Sequence, residues 1–408
     1  MAVVWWRLRG DEGIVMCAQG TGSQPALRRA NEQRVLEALR TLGDASQADL
    51  ARQTGLSAAS INNITRGLLT RGQVQVTEST DHRETRLRLA PPSGQYLTLE
   101  ISPESAYVAL FDFDRRRRFD SALDLEHQGF EGDVEAIRLM VDRIQQQAGL
   151  AGNAHAVVGV RSAVDAQSGQ MSPSVTFRGW RDVPVAATLS EALGRQVTID
   201  NDANLRALAE GTWGVARGVR DFLYIKTSPG VSAGITMQGK IQRGRNGMAG
   251  EIGHMVVDRN GPLCDCGNRG CLHALASARM LVIQARSLDN EVRSIGDILA
   301  RARAGDGLCA RLLSEAGEYI GLAIANVVAL MGMSCFVVGG RLLEAGDLFM
   351  RPLKQSVDAH TLRPAGSSLE VRAGLNRPDL CLVGGLCHAI AADGAYLADI
   401  PTWCRPPR

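Results

Sequence analysis

Long apolar runs are missing from this chain of 408 residues. None reaches the roughly 18 residues of a membrane span, so no membrane partner is expected. Val3-Val4-Trp5-Trp6 near the start is not followed by a long apolar core and a small-residue cleavage site, so no export signal is expected. Lysine is nearly absent: Lys226, Lys240 and Lys354 are the only lysines among 45 basic residues. An arginine bias spread over the whole chain reads as codon usage and marks no site, although the guanidinium fork suits phosphate and guanine. No repeat of fixed period is seen, which argues against a solenoid. A disulfide framework is also disfavoured, because the nine cysteines are odd in number and three crowd between 264 and 271. That pattern favours metal ligation in a reducing compartment, hence a cytoplasmic, nucleoid-associated protein.

The length exceeds one ordinary core, so two or three domains are expected. Forty-four glycines point to many tight turns or close backbone approaches. The net charge of +2 decides nothing about partners.

Residues 1–24 read as a flexible lead ending in Gly20-Thr21-Gly22-Ser23. Val35, Leu36, Leu39 and Leu42 then recur at helical spacing, and Gly43 stops that helix. Ser46, with Asp49 three residues on, forms an approximate capping box for a second helix ending at Thr54-Gly55. Ser57 caps a third helix through Ile61, Ile64, Leu68 and Leu69 to Gly72. Two short helices joined through a glycine turn are the helix-turn-helix arrangement. Residues 73–77 and 85–89 alternate around the polar tip 79–83 and read as a two-stranded wing. Residues 25–90 are thus expected to form a winged helix-turn-helix, followed by the linker Pro91-Pro92-Ser93-Gly94.

Beyond the linker, strand candidates at 96–101, 106–113, 156–160, 196–199, 222–226, 233–237 and 335–338 alternate with helices. The helices are expected near 133–148, 184–193, 203–213, 275–285, 308–331 and 384–398. Such alternation implies a mainly parallel sheet with covering helices.

A helix in the major groove needs small polar side chains near its N-terminus. The third helix offers Ser57, Ala58, Ser60, Asn62, Asn63 and Arg66. Asparagine can read adenine, arginine can read guanine or hold phosphate, and alanine can touch a thymine methyl. The wing arginines Arg83, Arg86 and Arg88 can reach a phosphate or the minor groove. Between 27 and 90 there are ten arginines against seven acids. The surplus is modest, so a homodimer or higher even homo-oligomer on a pseudo-palindromic double-stranded operator is expected. A small helical domain for protein contacts is the plainer reading of the helices alone.

Cys264-Asp265-Cys266-Gly267-Asn268-Arg269-Gly270-Cys271 places three thiols within eight residues, with glycines that let the loop curl. Zinc takes four soft or borderline ligands in a tetrahedron. His254 and His273 compete for the fourth place. A closed site of this kind would be structural, with no position left for water.

Gly250-Glu251-Ile252-Gly253-His254-Met255 followed by Cys-x-Cys-Gly-x-x-Gly-Cys resembles the ROK family of repressors and sugar kinases. Asp200-Asn201-Asp202-Ala203-Asn204 with Glu210-Gly211, and Phe336-Val337-Val338-Gly339-Gly340, are similar to further segments of that family. The resemblance spans residues 27 to about 398. It implies an α/β, actin-like (sugar-kinase/ribonuclease-H-like) two-lobed domain behind the winged helix-turn-helix. The first lobe would be 95–215, and the second 216–398, with a zinc site and a return helix. It implies one structural zinc per chain, with His254 joining Cys264, Cys266 and Cys271. It also implies that Asn201, Asp202 and Glu251 bind sugar hydroxyls near His254, and that Asp202 occupies the kinase-base position. Arg161 and His273 stand where the family's sugar loop and a sugar-holding glutamate are expected, and they complete the candidate ligand set.

The departures are in the phosphate loops. Kinase members carry Asp-x-Gly-x-Thr on the first strand; here it reads Glu100-Ile101-Ser102-Pro103-Glu104. The second loop reads Thr227-Ser228-Pro229-Gly230-Val231-Ser232, and the sugar loop Arg161-Ser162-Ala163. The sequence therefore points to a DNA-binding regulator, repressor or dual, of carbohydrate or secondary metabolism. It would respond to a sugar or sugar phosphate and have no catalytic residue, Asp202 being vestigial. An active ATP-dependent sugar kinase with an added DNA domain is the alternative, and a regulator controlled by a protein partner is a third.

Overall fold

The computed structural model describes residues 24–77, 85–125, 129–149, 155–165, 168–172, 177–180, 183–362, 369–397 and 399–404. Most of the lead and the wing tip, with Arg83, lie outside them. The chain divides into two compact units, Met1–Pro92 with Asp393–Tyr396, and Ser93–Ala392 with Leu397–Arg408.

In the first unit, α1 (Gln24–Leu42) buries Val35, Leu36 and Leu39. It ends at Gly43, whose φ of 72° is the left-handed conformation that glycine adopts without strain. A two-residue strand, β1 (Ala45–Ser46), leads into α2 (Gln47–Thr54). Ser46 and Asp49 form the expected capping box: the Ser46 Oγ accepts from the Asp49 N–H at 3.2 Å, and the Asp49 carboxylate accepts from the Ser46 N–H at 3.0 Å. Ser57 caps α3 (Ala58–Thr70), which turns Ile61, Ile64 and Leu68 onto Leu50 and Val35. Strands β2 (Val74–Thr77) and β3 (Arg86–Leu89) pair antiparallel, and β1 adds to the other side of β3. The sheet thus has three strands where two were expected, because a two-residue strand carries no period to read. The late segment Asp393–Tyr396 joins this unit. The Tyr396 N–H donates to the Ala90 carbonyl at 3.1 Å, and the ring packs on the helical core.

The second unit holds two five-stranded sheets. The first, in the order β10-β7-β4-β5-β6, is built from β4 (Gln95–Ile101), β5 (Ser105–Asp112), β6 (Arg117–Asp124), β7 (Ala156–Val160) and β10 (Val197–Asn201). A small hairpin, β8 (Val164–Asp165) and β9 (Gln170–Met171), intervenes. Helices α4 (Phe130–Ala148) and α5 (Val185–Leu193) pack on this sheet, and α6 (Asp202–Trp213) leaves its end. The second sheet, β13-β12-β11-β14-β15, comprises β11 (Phe222–Lys226), β12 (Ser232–Met237), β13 (Lys240–Gln242), β14 (Cys335–Gly339) and β15 (Glu370–Ala373). Its core is filled from α7 (Leu272–Ala276), α8 (Ala278–Leu288), α9 (Ile295–Arg303), α10 (Gly307–Met331) and α11 (Asp347–His360).

Both sheets are mixed rather than mainly parallel. In each, the two pairings on one side are parallel and the two on the other are antiparallel hairpins. The return helix α12 (Leu380–Ala392) starts earlier than the expected 384–398 and stops before Asp393-Gly394. It packs on α6, β4 and β7, and its Leu380 and Val383 also join Phe222, Tyr224, Cys335 and Val337 of the second sheet. Gly384 makes the contact with α6 possible, because a Cβ there would strike the backbone of Leu205 in α6. Helix α10, with 25 residues, has the length and composition to cross a membrane. Here it buries Leu313, Ile320 and Ile324 in the second core instead.

Candidate functional site

The third helix of the first unit presents its polar side outward. Ser57, Ala58, Asn62, Asn63 and Arg66 are exposed and Ser60 is half-buried, while Ile61, Ile64 and Thr65 face the core. Positions 58, 62 and 66 lie four apart and so share one face. Ser57 is partly engaged already: its Oγ accepts from the Ser60 N–H at 3.2 Å and lies 2.9 Å from the Ser60 hydroxyl. Gln47 donates from Nε2 to the Thr65 Oγ1 at 3.4 Å, which ties α2 to α3. Arg86 donates to the Asp44 carbonyl at 2.8 Å and lies 3.9 Å from Asp49, so this wing arginine also braces its own unit.

In the second unit, the ligand atoms of His254, Cys264, Cys266 and Cys271 all lie within 4.8 Å of one another. The His254 Nδ1 is 3.7 Å from the Cys264 Sγ, and the Cys266 and Cys271 sulfurs are 3.7 Å apart. The curl comes from the loop itself: the Cys264 N–H donates to the Asn268 carbonyl at 2.8 Å and the Gly267 N–H to the Cys264 carbonyl at 2.9 Å. Gly267 and Gly270 take φ of 91° and 71°, and a Cβ at Gly270 would strike the Asp258 carbonyl. Three thiols and one imidazole converging in this way fit a tetrahedral soft-donor metal. His273 stands outside the group. Its Nδ1 faces the Val231 N–H at 3.5 Å, and burial, then His254, push its pKa down to about 4.

The opposite edge of His254 faces Glu251, with Nε2 and Oε2 4.0 Å apart, and that edge opens on a cleft of about 360 Å³. Arg161, Asn201, Asp202, Glu251, His254 and His273 all line this cleft, which therefore brings the whole candidate ligand set together. Asn201 is held rigidly: its Oδ1 accepts from the Ala203 N–H at 2.8 Å as the α6 cap, and its Nδ2 donates to the Ser162 carbonyl at 3.0 Å. Burial raises the Glu251 carboxyl above its ordinary pKa, against the pull of His254.

Lys226, which the sequence reading passed over, lies beside Asp202. Its Nζ donates to both carboxylate oxygens, at 2.8 and 2.6 Å, and both side chains are buried. Burial raises the Asp202 pKa, but Lys226 and Arg206 more than offset that and hold it below the usual carboxylate range. Behind Asp202, Arg206 pairs with Glu100 at 2.6 Å and lies 3.9 Å from Asp202. Glu100 and Arg206 also line a second cavity of about 770 Å³, with Arg118, Pro229, Arg341 and Arg377. The turn after β4 is closed on itself: the Ser102 N–H donates to the Ser105 carbonyl at 2.8 Å, and the Ser105 N–H donates to the Ser102 Oγ at 3.1 Å.

The model of the ROK family matches residues 97–386. The chain belongs to the ROK family. A glucokinase of Halalkalibacterium halodurans is 35% identical over 222 residues, covering 51% of this chain and 67% of the relative. A xylose repressor of Caldicellulosiruptor bescii is 24% identical over 392 residues, covering 91% of this chain and 98% of the relative. A crystal structure of a ROK family transcriptional regulator, a homologue of the Escherichia coli Mlc protein, superposes with a TM-score of 0.78 at 23% identity. That likeness covers 90% of this chain and 97% of the other, and it shows the shared fold. This ROK chain thus has relatives of both kinds, with the regulator likeness extending over nearly its whole length.

Proposed function

We propose that this ROK protein is a sequence-specific DNA-binding transcriptional regulator, repressor or dual, of carbohydrate or secondary metabolism. Its second unit keeps the shape of a sugar kinase and serves as a sensor for a sugar or sugar phosphate. The observation that carries the reading is the outward face of α3, where Asn62, Asn63 and Arg66 stand free of the core on a helix capped by Ser57. Repressors are also the relatives that match along most of the chain. One structural zinc per chain, held by His254, Cys264, Cys266 and Cys271, would stiffen the wall of the effector cleft.

Several features speak against kinase chemistry. The turn after β4 spends the Ser102 and Ser105 N–H groups within itself, Pro103 has none, and two carboxylates, Glu100 and Glu104, stand where a phosphate would approach. The base position, Asp202, has both oxygens occupied by Lys226.

One helix reads only a few base pairs, so two chains related by a two-fold would contact half-sites about one helical turn, or a multiple, apart. Footprinting the purified protein on its own upstream region tests this. A symmetric footprint is expected, weakened by roughly 1–3 kcal/mol in Asn62→Ala, Asn63→Ala or Arg66→Ala where the residue reads a base. Arg83→Ala or Arg86→Ala should weaken all sequences alike and flatten the salt dependence. An asymmetric single half-site, or a footprint indifferent to the α3 substitutions, would place the reading head elsewhere.

A further inference from the structure

The effector cleft can be described by which of its polar groups remain free. Three carboxyl groups line it, those of Asp202, Glu251 and Asp265. Asp202 has both oxygens taken by the Lys226 ammonium, and Asp265 holds Arg279 at 2.7 Å. Asn201 is committed to Ala203 and Ser162. Glu251 is thus the one carboxyl lining the cleft that no described cation holds at hydrogen-bond distance.

The donors are in the opposite condition. An ammonium carries three N–H groups, and Lys226 spends two on Asp202, which leaves a third at the cleft wall. Arg161 also lines the cleft, and its ion-pair partner among the described residues is the exposed Glu104 at 3.4 Å. The His273 Nδ1 faces the Val231 N–H, which puts the ring proton on Nε2 and makes that nitrogen a donor. Around Asp202, the cations Lys226, Arg206 and Arg161 all act on a single buried carboxylate. Arg206 is already matched by Glu100.

We propose that the end of the cleft between Lys226 and Arg161 takes an anionic oxygen group, a carboxylate or a phosphate, carried by the sugar derivative that the protein senses. This rests on the reading of the cleft as the effector site. A free hydroxyl approaching Asp202 would compete with an ammonium that is already in place. An anionic oxygen instead gains the remaining Lys226 donor and the Arg161 fork, and charge-assisted hydrogen bonds of this kind are roughly twice as strong as neutral ones. Glu251 remains for the hydroxyls of the sugar ring.

The test is calorimetric titration of the full chain with a panel of pentoses and hexoses. Each is offered as the neutral sugar, as its aldonate or uronate, and as its phosphate ester, with inorganic phosphate as competitor. An acidic derivative should bind about tenfold or more tightly than its neutral parent, and the preference should shrink as salt rises. Whether the carboxylates or the phosphates win identifies the source of the charge. Arg161→Gln should remove most of the preference and leave the fold intact. The paired change Lys226→Met with Asp202→Asn, which leaves no buried charge unpaired, should do the same. If that double variant fails to fold, Arg161→Gln decides alone. A neutral sugar that binds at least as tightly as its acids, or a preference untouched by Arg161→Gln, overturns the proposal and leaves the effector reading standing. If no member of the panel binds, both fall.

Discussion

At the scale of single residues, the metal cluster and the cleft meet in one side chain. His254 turns one nitrogen toward Cys264 and the other toward Glu251. A histidine that would hold a metal through one nitrogen while the other faces a carboxylate ties the geometry of the cluster to that of the cleft. The sequence offered two histidines for the fourth ligand, and spacing alone could not choose between them. The fold brings His254 back across the loop and turns His273 toward Val231. Elemental analysis of protein purified without chelators should therefore find one zinc per chain, kept in His273→Ala and lost in Cys266→Ala and His254→Ala. The Cys266→Ala protein should also melt at a lower temperature, since metal binding supplies folding free energy to a loop of this kind. Zinc retained in His254→Ala and lost in His273→Ala would transfer the role. Lys226 was harder to see. Its partner Asp202 lies 24 positions away and no local pattern links them; the available signal was a scarce lysine at the end of an otherwise apolar buried strand, Phe222–Lys226.

At the scale of elements, what could be read from sequence was what short-range chemistry dictates. The capping box of Ser46 and Asp49, the Ser57 cap and the left-handed Gly43 and Gly55 set the first unit locally. The apolar strands 156–160 and 222–226 have the expected boundaries because they are buried along their whole length. Two of the missed elements have weak or contradictory local signals. Strand β6, Arg117–Asp124, is rich in charge and mostly half-buried, at the edge of its sheet, so it lacks the apolar alternation that marks a strand. Helix α11 carries Pro352 in its interior, where proline normally argues against a helix. The packing of α12 on α6 depends on Gly384, a contact between residues 179 positions apart in sequence (Leu205 and Gly384). Gly384→Ala should cost roughly 1–3 kcal/mol by overpacking against the Leu205 backbone, because α6 is anchored by its Asn201 cap and cannot easily give way. Urea unfolding measures this, and a midpoint within error of the parent protein would mean the two helices separate more freely than their contact implies.

At the scale of the whole molecule, two clefts lie on either side of an ion network. Asp202 and Lys226 face the smaller cleft; Glu100 faces the larger; Arg206 stands between, bonded to Glu100 and near Asp202. Phosphoryl transfer asks for the reverse arrangement. The attacking hydroxyl, the base and the γ-phosphate must lie in line with nothing between them, and positioning supplies most of the acceleration. Here Asp202 is bound by an ammonium, and Arg206 beside it is paired with Glu100, both of which line the second cavity. Burial works against the Arg206 charge, but Glu100 reverses this and raises its pKa, so the guanidinium stays charged beside Glu100 at any physiological pH. The purified chain, given ATP, magnesium and a panel of sugars, should therefore release no more ADP than a blank without protein, whatever the sugar. Freeing Asp202 alone should not create activity, because the Ser102 and Ser105 N–H groups of the turn are still bonded within it and Pro103 has none to offer a phosphate. Sugar-dependent turnover that disappears in Asp202→Ala would show that the network opens in solution and that the kinase chemistry of the family survives in this chain.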